Sequence, residues 1–174
     1  MSIEIMRNKE EILIKLLKER GFTFSSAESC TGGMLMSTLI NVAGASAVIN
    51  EGFITYANEA KKKYLFVNDE TLANYGAVSE QTACEMAQGL RKQTKADVTA
   101  AITGIAGPEG GTDEKPVGTI YIACCIQDQT YVRRLNLQGD RLSIRTQTVS
   151  QTLNFILDCI RESEKNSLLC DINI

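Results

Sequence analysis

Apolar positions along the chain recur with two different periods, and their alternation predicts an ordered series of helices and strands. Ile12, Leu13, Leu16 and Leu17 share one face at helical spacing. Asn8 can cap that helix, Glu10 and Glu11 fall in its first turn, and Gly21 is its stop signal. Residues 22–26 then read as a short strand and residues 34–40 as the body of a second helix. Residues 48–56 alternate loosely, as a strand or hairpin arm would. Asn58 is the expected cap of a short helix carrying Lys61, Lys62 and Lys63, with Asp69 and Ser79 as two further caps. The helix after Ser79 is long, over 80–94, with Ala83, Met86, Ala87 and Leu90 on one face.

Residues 97–103 are apolar and suit a buried strand. Residues 119–126 and 130–137 read as a hairpin around Gln127, Asp128 and Gln129, and Asp140 can cap a last helix running to about residue 161. Strands mixed with helices in this order predict an α/β fold, a three-layer α/β/α sandwich with a mixed sheet. No linker or internal repeat divides it, so we expect a single domain over residues 1–163 and a weakly patterned, loose tail over 164–174.

The chain has 174 residues, enough to bury a real core. Hydrophobic residues make up 44% and charged residues 22%, an ordinary globular balance. A formal net charge of −3 argues against a direct nucleic-acid binder. No apolar run approaches the ~18 residues that span a bilayer, and the first residues do not read as a leader. The six cysteines, Cys30, Cys84, Cys124, Cys125, Cys159 and Cys170, show no metal-binding spacing. Most sit in apolar runs like small core residues, and a reducing cytoplasm is the expected compartment.

Candidate chemistry begins where the first strand meets the second helix, at Ala27-Glu28-Ser29-Cys30-Thr31-Gly32-Gly33. A helix start presents unpaired N–H groups, which suits a nucleophile with an oxyanion or phosphate site. The chain has no histidine, so a serine nucleophile needs another base, and lysine is the known substitute. Lys61, one turn into its helix, is a candidate base with Tyr56 as its hydrogen-bonding neighbour. Acting at about pH 7–8 would require its pKa to fall by about 3, or roughly 4 kcal/mol of environment. The competing reading of Lys61 is a solvated helix face. Ser29 is equally an N-cap, although Thr31 would cap as well, and Cys30 is a rival nucleophile. A Gly-rich loop over 104–118 contains both prolines and is long for a compact domain, as functional loops often are. It matches neither a P-loop nor a dinucleotide fingerprint, and a plain surface loop is the alternative. Arg141 and Arg145, at the start of the last helix, can meet a phosphate, or else solvent or a carboxylate.

Five ordered motifs carry a resemblance: 27–33; Gly52-Phe53-Ile54-Thr55-Tyr56-Ala57-Asn58-Glu59-Ala60-Lys61; Gly76-Ala77-Val78-Ser79-Glu80; Thr103-Gly104-Ile105-Ala106-Gly107-Pro108-Glu109-Gly110-Gly111; and Glu114-Lys115-Pro116-Val117-Gly118-Thr119. Over about residues 11–157 the chain resembles the CinA C-terminal-domain family of nicotinamide-nucleotide amidases, in its stand-alone form. The resemblance implies hydrolysis of nicotinamide mononucleotide to nicotinate mononucleotide and ammonia, in pyridine-nucleotide salvage. It implies Ser29 as nucleophile, Lys61 as base, and Tyr56 and Thr103 at the active site. Backbone groups of Cys30, Thr31, Gly32 and Gly33 are then the expected oxyanion donors. Gly104, Gly107, Gly110 and Gly111, with Arg141 or Arg145, are expected to hold the phosphate. No metal or cofactor is required, the partner is a small nucleotide, and we expect a homo-oligomer. One departure is Gly44-Ala45-Ser46-Ala47, where the family often reads Gly-Ser-Ser-Ala. The rival function is a non-catalytic partner module in competence or DNA damage.

Overall fold

Successive side chains of a strand point to opposite faces, so each strand here presents one row of residues to each side of the sheet. In β3 (Val98–Gly104), Val98, Ala100 and Ile102 face one way, and Thr99 and Ala101 the other. In β4 (Thr119–Ile126), Ile120, Ile122, Cys124 and Ile126 oppose Tyr121, Ala123 and Cys125. A computed structural model describes residues 3–171, with side chains over 9–165. It places these strands in one sheet of order β2-β1-β3-β4-β5, with β1 (Phe24–Glu28), β2 (Ile49–Ile54) and β5 (Gln129–Asn136). β1 runs parallel to β2 and β3, whereas β3–β4 and β4–β5 are antiparallel. The sheet is therefore mixed.

Helices cover both faces. The bulky face packs against α1 (Ile3–Arg20), α2 (Met34–Ile40) and α6 (Arg141–Asp171), through Leu13, Leu17, Leu35, Leu39, Leu153 and Ile156. The small face packs against α3 (Asn58–Leu65), α4 (Asp69–Tyr75) and α5 (Glu80–Thr94), through Leu65, Met86, Ala87 and Leu90. This is the expected three-layer sandwich in a single domain. Its small face brings α5 close to the sheet, because Ala27, Ala101 and Ala123 fill little space.

Several boundaries differ from the sequence reading, each for a local reason. α1 begins at Ile3, so Asn8 lies within it; the helix formers Glu4, Met6 and Arg7 precede Asn8 with no breaker between. β1 starts two residues late because Thr23 instead donates its N–H and hydroxyl to Asp97 Oδ2, at 2.8 and 2.9 Å. β2 is a parallel edge strand, since α2 carries the chain back over the sheet before it pairs with β1. Ala57 and Asn68, in extended conformation, precede α3 and α4, which makes Asn58 and Asp69 first helical residues rather than caps. Ser79 and Asp140 do cap, accepting from Thr82 N at 3.1 Å and Ser143 N at 2.8 Å. α6 continues to Asp171, past the expected end near residue 161 and through most of the expected tail. Residues 1, 2 and 172–174, and the side chain of Cys170, lie outside the described residues.

Candidate active site

The C-terminal ends of β1 and β3, two adjacent parallel strands, set the site. Ser29 follows β1 directly, and its N–H donates to Ile102 O at 3.0 Å, which pins it beside the end of β3. The helix start beyond it is not free, as the sequence suggested. The Glu28 carboxylate, 1% exposed, accepts from the amides of Gly33 and Leu35 at 3.0 Å and of Met36 at 2.9 Å. The anion attracted to the α2 N-terminus is thus the protein's own side chain, folding back from the strand. Thr31 does not cap; its hydroxyl is buried without a hydrogen bond among the described residues.

Two amides of the turn remain. Gly32 N is bonded to Ser29 O at 3.1 Å and Gly33 N to Glu28, whereas Cys30 N and Thr31 N have no backbone partner among the described residues. Arg145 holds this turn from behind, donating from Nε to Cys30 O at 3.0 Å and from its guanidinium to Thr31 O at 2.9 Å. A trans peptide points its N–H opposite its carbonyl. Fixing Cys30 O on Arg145 therefore turns Thr31 N–H away from the arginine.

Lys61 meets Ser29 from α3. The residue is 1% exposed, and its Nζ lies 3.2 Å from Ser29 Oγ, 2.9 Å from Thr55 O and 3.2 Å from Tyr56 O. This satisfies an amine in either state. The ammonium donates to all three; the neutral amine donates to the two carbonyls and turns its lone pair toward the serine. Burial lowers the Lys61 pKa below its ordinary 10.5, against smaller opposing effects from Cys30 and Glu59. Lys61 is therefore no solvated helix face, although Lys62 and Lys63 are exposed. Burial acts in the other direction on Cys30, pushing its thiol up to about 11. A protonated, buried thiol is a poor nucleophile, and Lys61 contacts the neighbouring serine instead.

These groups open into a cavity of about 280 Å³. Its walls bring together the expected Ser29, Cys30, Tyr56, Lys61, Thr103, Gly104, Gly107, Gly110 and Arg141. Thr31, Gly32, Gly33, Gly111 and Arg145 do not line it. The Tyr56 side chain, 62% exposed, contacts Arg141 at 3.1 Å rather than Lys61, which it meets only through its carbonyl. Arg141 also donates to Gly107 O at 2.7 Å, tying the Gly-rich loop to α6. Thr103 Oγ1 donates to Ala77 O at 2.7 Å, drawing the segment before α5 over the cavity.

Asn58, Ala77, Val78, Ile105, Ala106 and Glu109 complete the walls and were not among the expected site residues. All six lie within the five ordered motifs, which was the available signal. The departure at Ala45 lies elsewhere, in a cleft of about 520 Å³ between α2 and β2. That cleft and another of about 430 Å³ beside α5 are larger, but neither contains a hydroxyl–amine contact among the described residues.

Comparison with known proteins agrees with this architecture. The family model for the CinA C-terminal domain matches residues 6–160. A CinA-like protein of Kosmotoga olearia is 52% identical over 84% of this chain, which spans only 36% of that relative's length. Among solved structures, the competence/damage inducible protein CihA of Agrobacterium tumefaciens superposes with a TM-score of 0.87 at 38% identity, covering 91% of this chain and 98% of that one. A competence-damaged protein (CinA) superfamily protein of Escherichia coli superposes at 0.86 with 36% identity, covering 90% and 92%.

Proposed function

Since this chain belongs to the CinA C-terminal domain family, we propose that it is an amidase that hydrolyses the carboxamide of nicotinamide mononucleotide through a serine acyl-enzyme. The observation that carries this reading is the buried Lys61 amine 3.2 Å from Ser29 Oγ at the wall of a cavity. A buried lysine beside a hydroxyl has little structural use, because desolvating its charge costs stability. It is well suited to holding a neutral amine as a base.

In this reading the neutral Lys61 takes the Ser29 proton as Oγ attacks the carboxamide carbon. The oxyanion forms against the Cys30 amide, with Thr31 N–H beside it. Collapse of the tetrahedral intermediate breaks the C–N bond, and Lys61 returns its proton to the departing ammonia. Water, deprotonated by the same lysine, then cleaves the ester to give nicotinate mononucleotide. Arg141 and the 104–110 segment are the proposed phosphate grip. Arg145 is instead proposed to hold the oxyanion turn in shape.

The names of the solved relatives point to competence and damage induction, which suggests a non-catalytic partner role as the rival. A docking surface has no need of a desolvated lysine–serine pair. Ammonia release from nicotinamide mononucleotide by the purified protein separates the two readings. Wild type should release it; Ser29→Ala and Lys61→Ala should lose nearly all turnover; Cys30→Ala should keep a substantial fraction. A wild type that releases no ammonia, or an enzyme that survives Ser29→Ala but dies on thiol alkylation, overturns the assignment.

A further inference from the structure

Glu109 is the one acidic side chain among the residues lining the Ser29–Lys61 cavity. It is exposed and makes no hydrogen bond or ion pair among the described residues. Both cations of the cavity are already engaged. Lys61 meets Ser29, Thr55 O and Tyr56 O, and Arg141 meets Gly107 O and Tyr56 OH. The carboxylate is therefore unclaimed within the wall that holds it.

The loop that carries Glu109 is held on both sides. Ile105 N donates to Thr119 O and Gly118 N to Ile105 O, at 2.9 and 2.8 Å. Gly107 adopts φ +73° and packs so closely on Val117 that an added Cβ would lie 2.4 Å from it. A negative charge presented this way opposes an anionic ligand unless the ligand also brings a cation. The proposed substrate does: its pyridinium ring carries a fixed positive charge next to the scissile carboxamide.

We infer that Glu109 is a specificity residue that selects ligands whose amide-bearing ring is cationic. The inference rests on the proposed amidase reading and adds a charge criterion to it. Arg141 reads the phosphate and Glu109 the ring charge, so the cavity selects a ligand that carries both charges.

The test is a binding comparison by calorimetry in the full chain carrying Ser29→Ala, which blocks turnover. The two probes are nicotinamide mononucleotide and its dihydro form, which keeps the carboxamide, ribose and phosphate but has an uncharged ring. The cationic form should bind about fivefold more tightly at low salt, as expected for one solvent-exposed charge pair, with the margin shrinking as salt rises. Adding Glu109→Gln should bring the ratio to about one by weakening the cationic form, strengthening the dihydro form or both, and should not weaken the dihydro form. An unchanged ratio in Glu109→Gln, or an equal loss for both probes, overturns the inference. Failure of the wild type to release ammonia would sink the amidase reading separately, because the affinity ratio does not depend on turnover. Binding of neither probe would overturn both.

Discussion

At the scale of single residues, the two arginines show what one turn of helix decides. Arg141 and Arg145 are four apart and look equivalent in the sequence. In the fold Arg141 lines the cavity, while Arg145 grips the carbonyls of Cys30 and Thr31. Their variants should therefore fail differently. Arg141→Gln should raise KM for the mononucleotide and erase its advantage over nicotinamide riboside. That advantage should be about 30- to 150-fold, for a charge-assisted contact of ~2–3 kcal/mol. Arg145→Gln should lower kcat for both compounds and leave their ratio intact. Steady-state kinetics on the two substrates distinguishes these outcomes, and identical behaviour of the two variants would refute the division. Lys61 adds a pH prediction. In the proposed mechanism activity needs its neutral form, so kcat/KM should rise with pH through a value below 10.5, the ordinary one. A bound pyridinium adds a like charge and should shift the corresponding limb of kcat to lower pH still. Coincident limbs, with chemistry rate-limiting, would exclude help from the substrate while leaving the serine–lysine pair in place. The pairing of Ser29 with Lys61 was legible in the absence of histidine. The cap of α2 was not, because Glu28 reaches it only by folding back from the preceding strand.

At the scale of elements, the close contact of α3 with α5 fixes where Lys61 can stand. An added Cβ at Gly89 of α5 would lie 1.7 Å from the carbonyl oxygen of Leu65, the last residue of α3. Gly89→Ala gains about 1 kcal/mol of helix propensity but must push a backbone carbonyl aside. Overpacking of this kind costs about 1–3 kcal/mol or more, so the variant should be less stable on balance. It should also lose activity, since α3 carries Lys61. Urea denaturation with a parallel turnover assay checks both, and a Gly89→Ala protein at least as stable as wild type would contradict the packing described. The interiors of these elements were readable from periodicity: the bounds of α2, α5 and β4 agree with the apolar pattern. Ends were less readable. Asn58 and Asp69 are good capping types, yet the chain turns one residue earlier at each, and at Asn68 a tertiary contact holds the extended residue, its N–H donating to Glu85 Oε2 at 2.8 Å.

For the molecule as a whole, the buried lysine should leave a mark on stability. Its folded pKa is lowered, so in the unfolded chain it binds its proton more tightly. Stability contributed by this group is therefore at its poorest below the folded value, and it rises with pH between that value and 10.5. Measured by chemical denaturation across this window, the wild type should gain stability relative to Lys61→Met as pH climbs. A difference independent of pH would mean that the lysine is not desolvated in the folded protein. Nothing in the described residues forms a helix long and apolar enough to cross a membrane, in keeping with the sequence. What the sequence determined by itself was local or periodic: apolar spacing predicts the layers of the sandwich, and the histidine-free Ser29 motif limits the chemistry. The tertiary structure alone decided which of several lysines loses its water, which arginine faces the cavity, and that an unclaimed carboxylate stands in the wall of the cavity that holds Ser29. Those properties depend on what surrounds a side chain, and residues far apart in sequence supply those surroundings: β1, α3, the Gly-rich loop and α6 meet at one end of the sheet. Periodicity reports which face of an element is buried, but desolvation and hydrogen bonding are set by the neighbours that the folded chain brings to it.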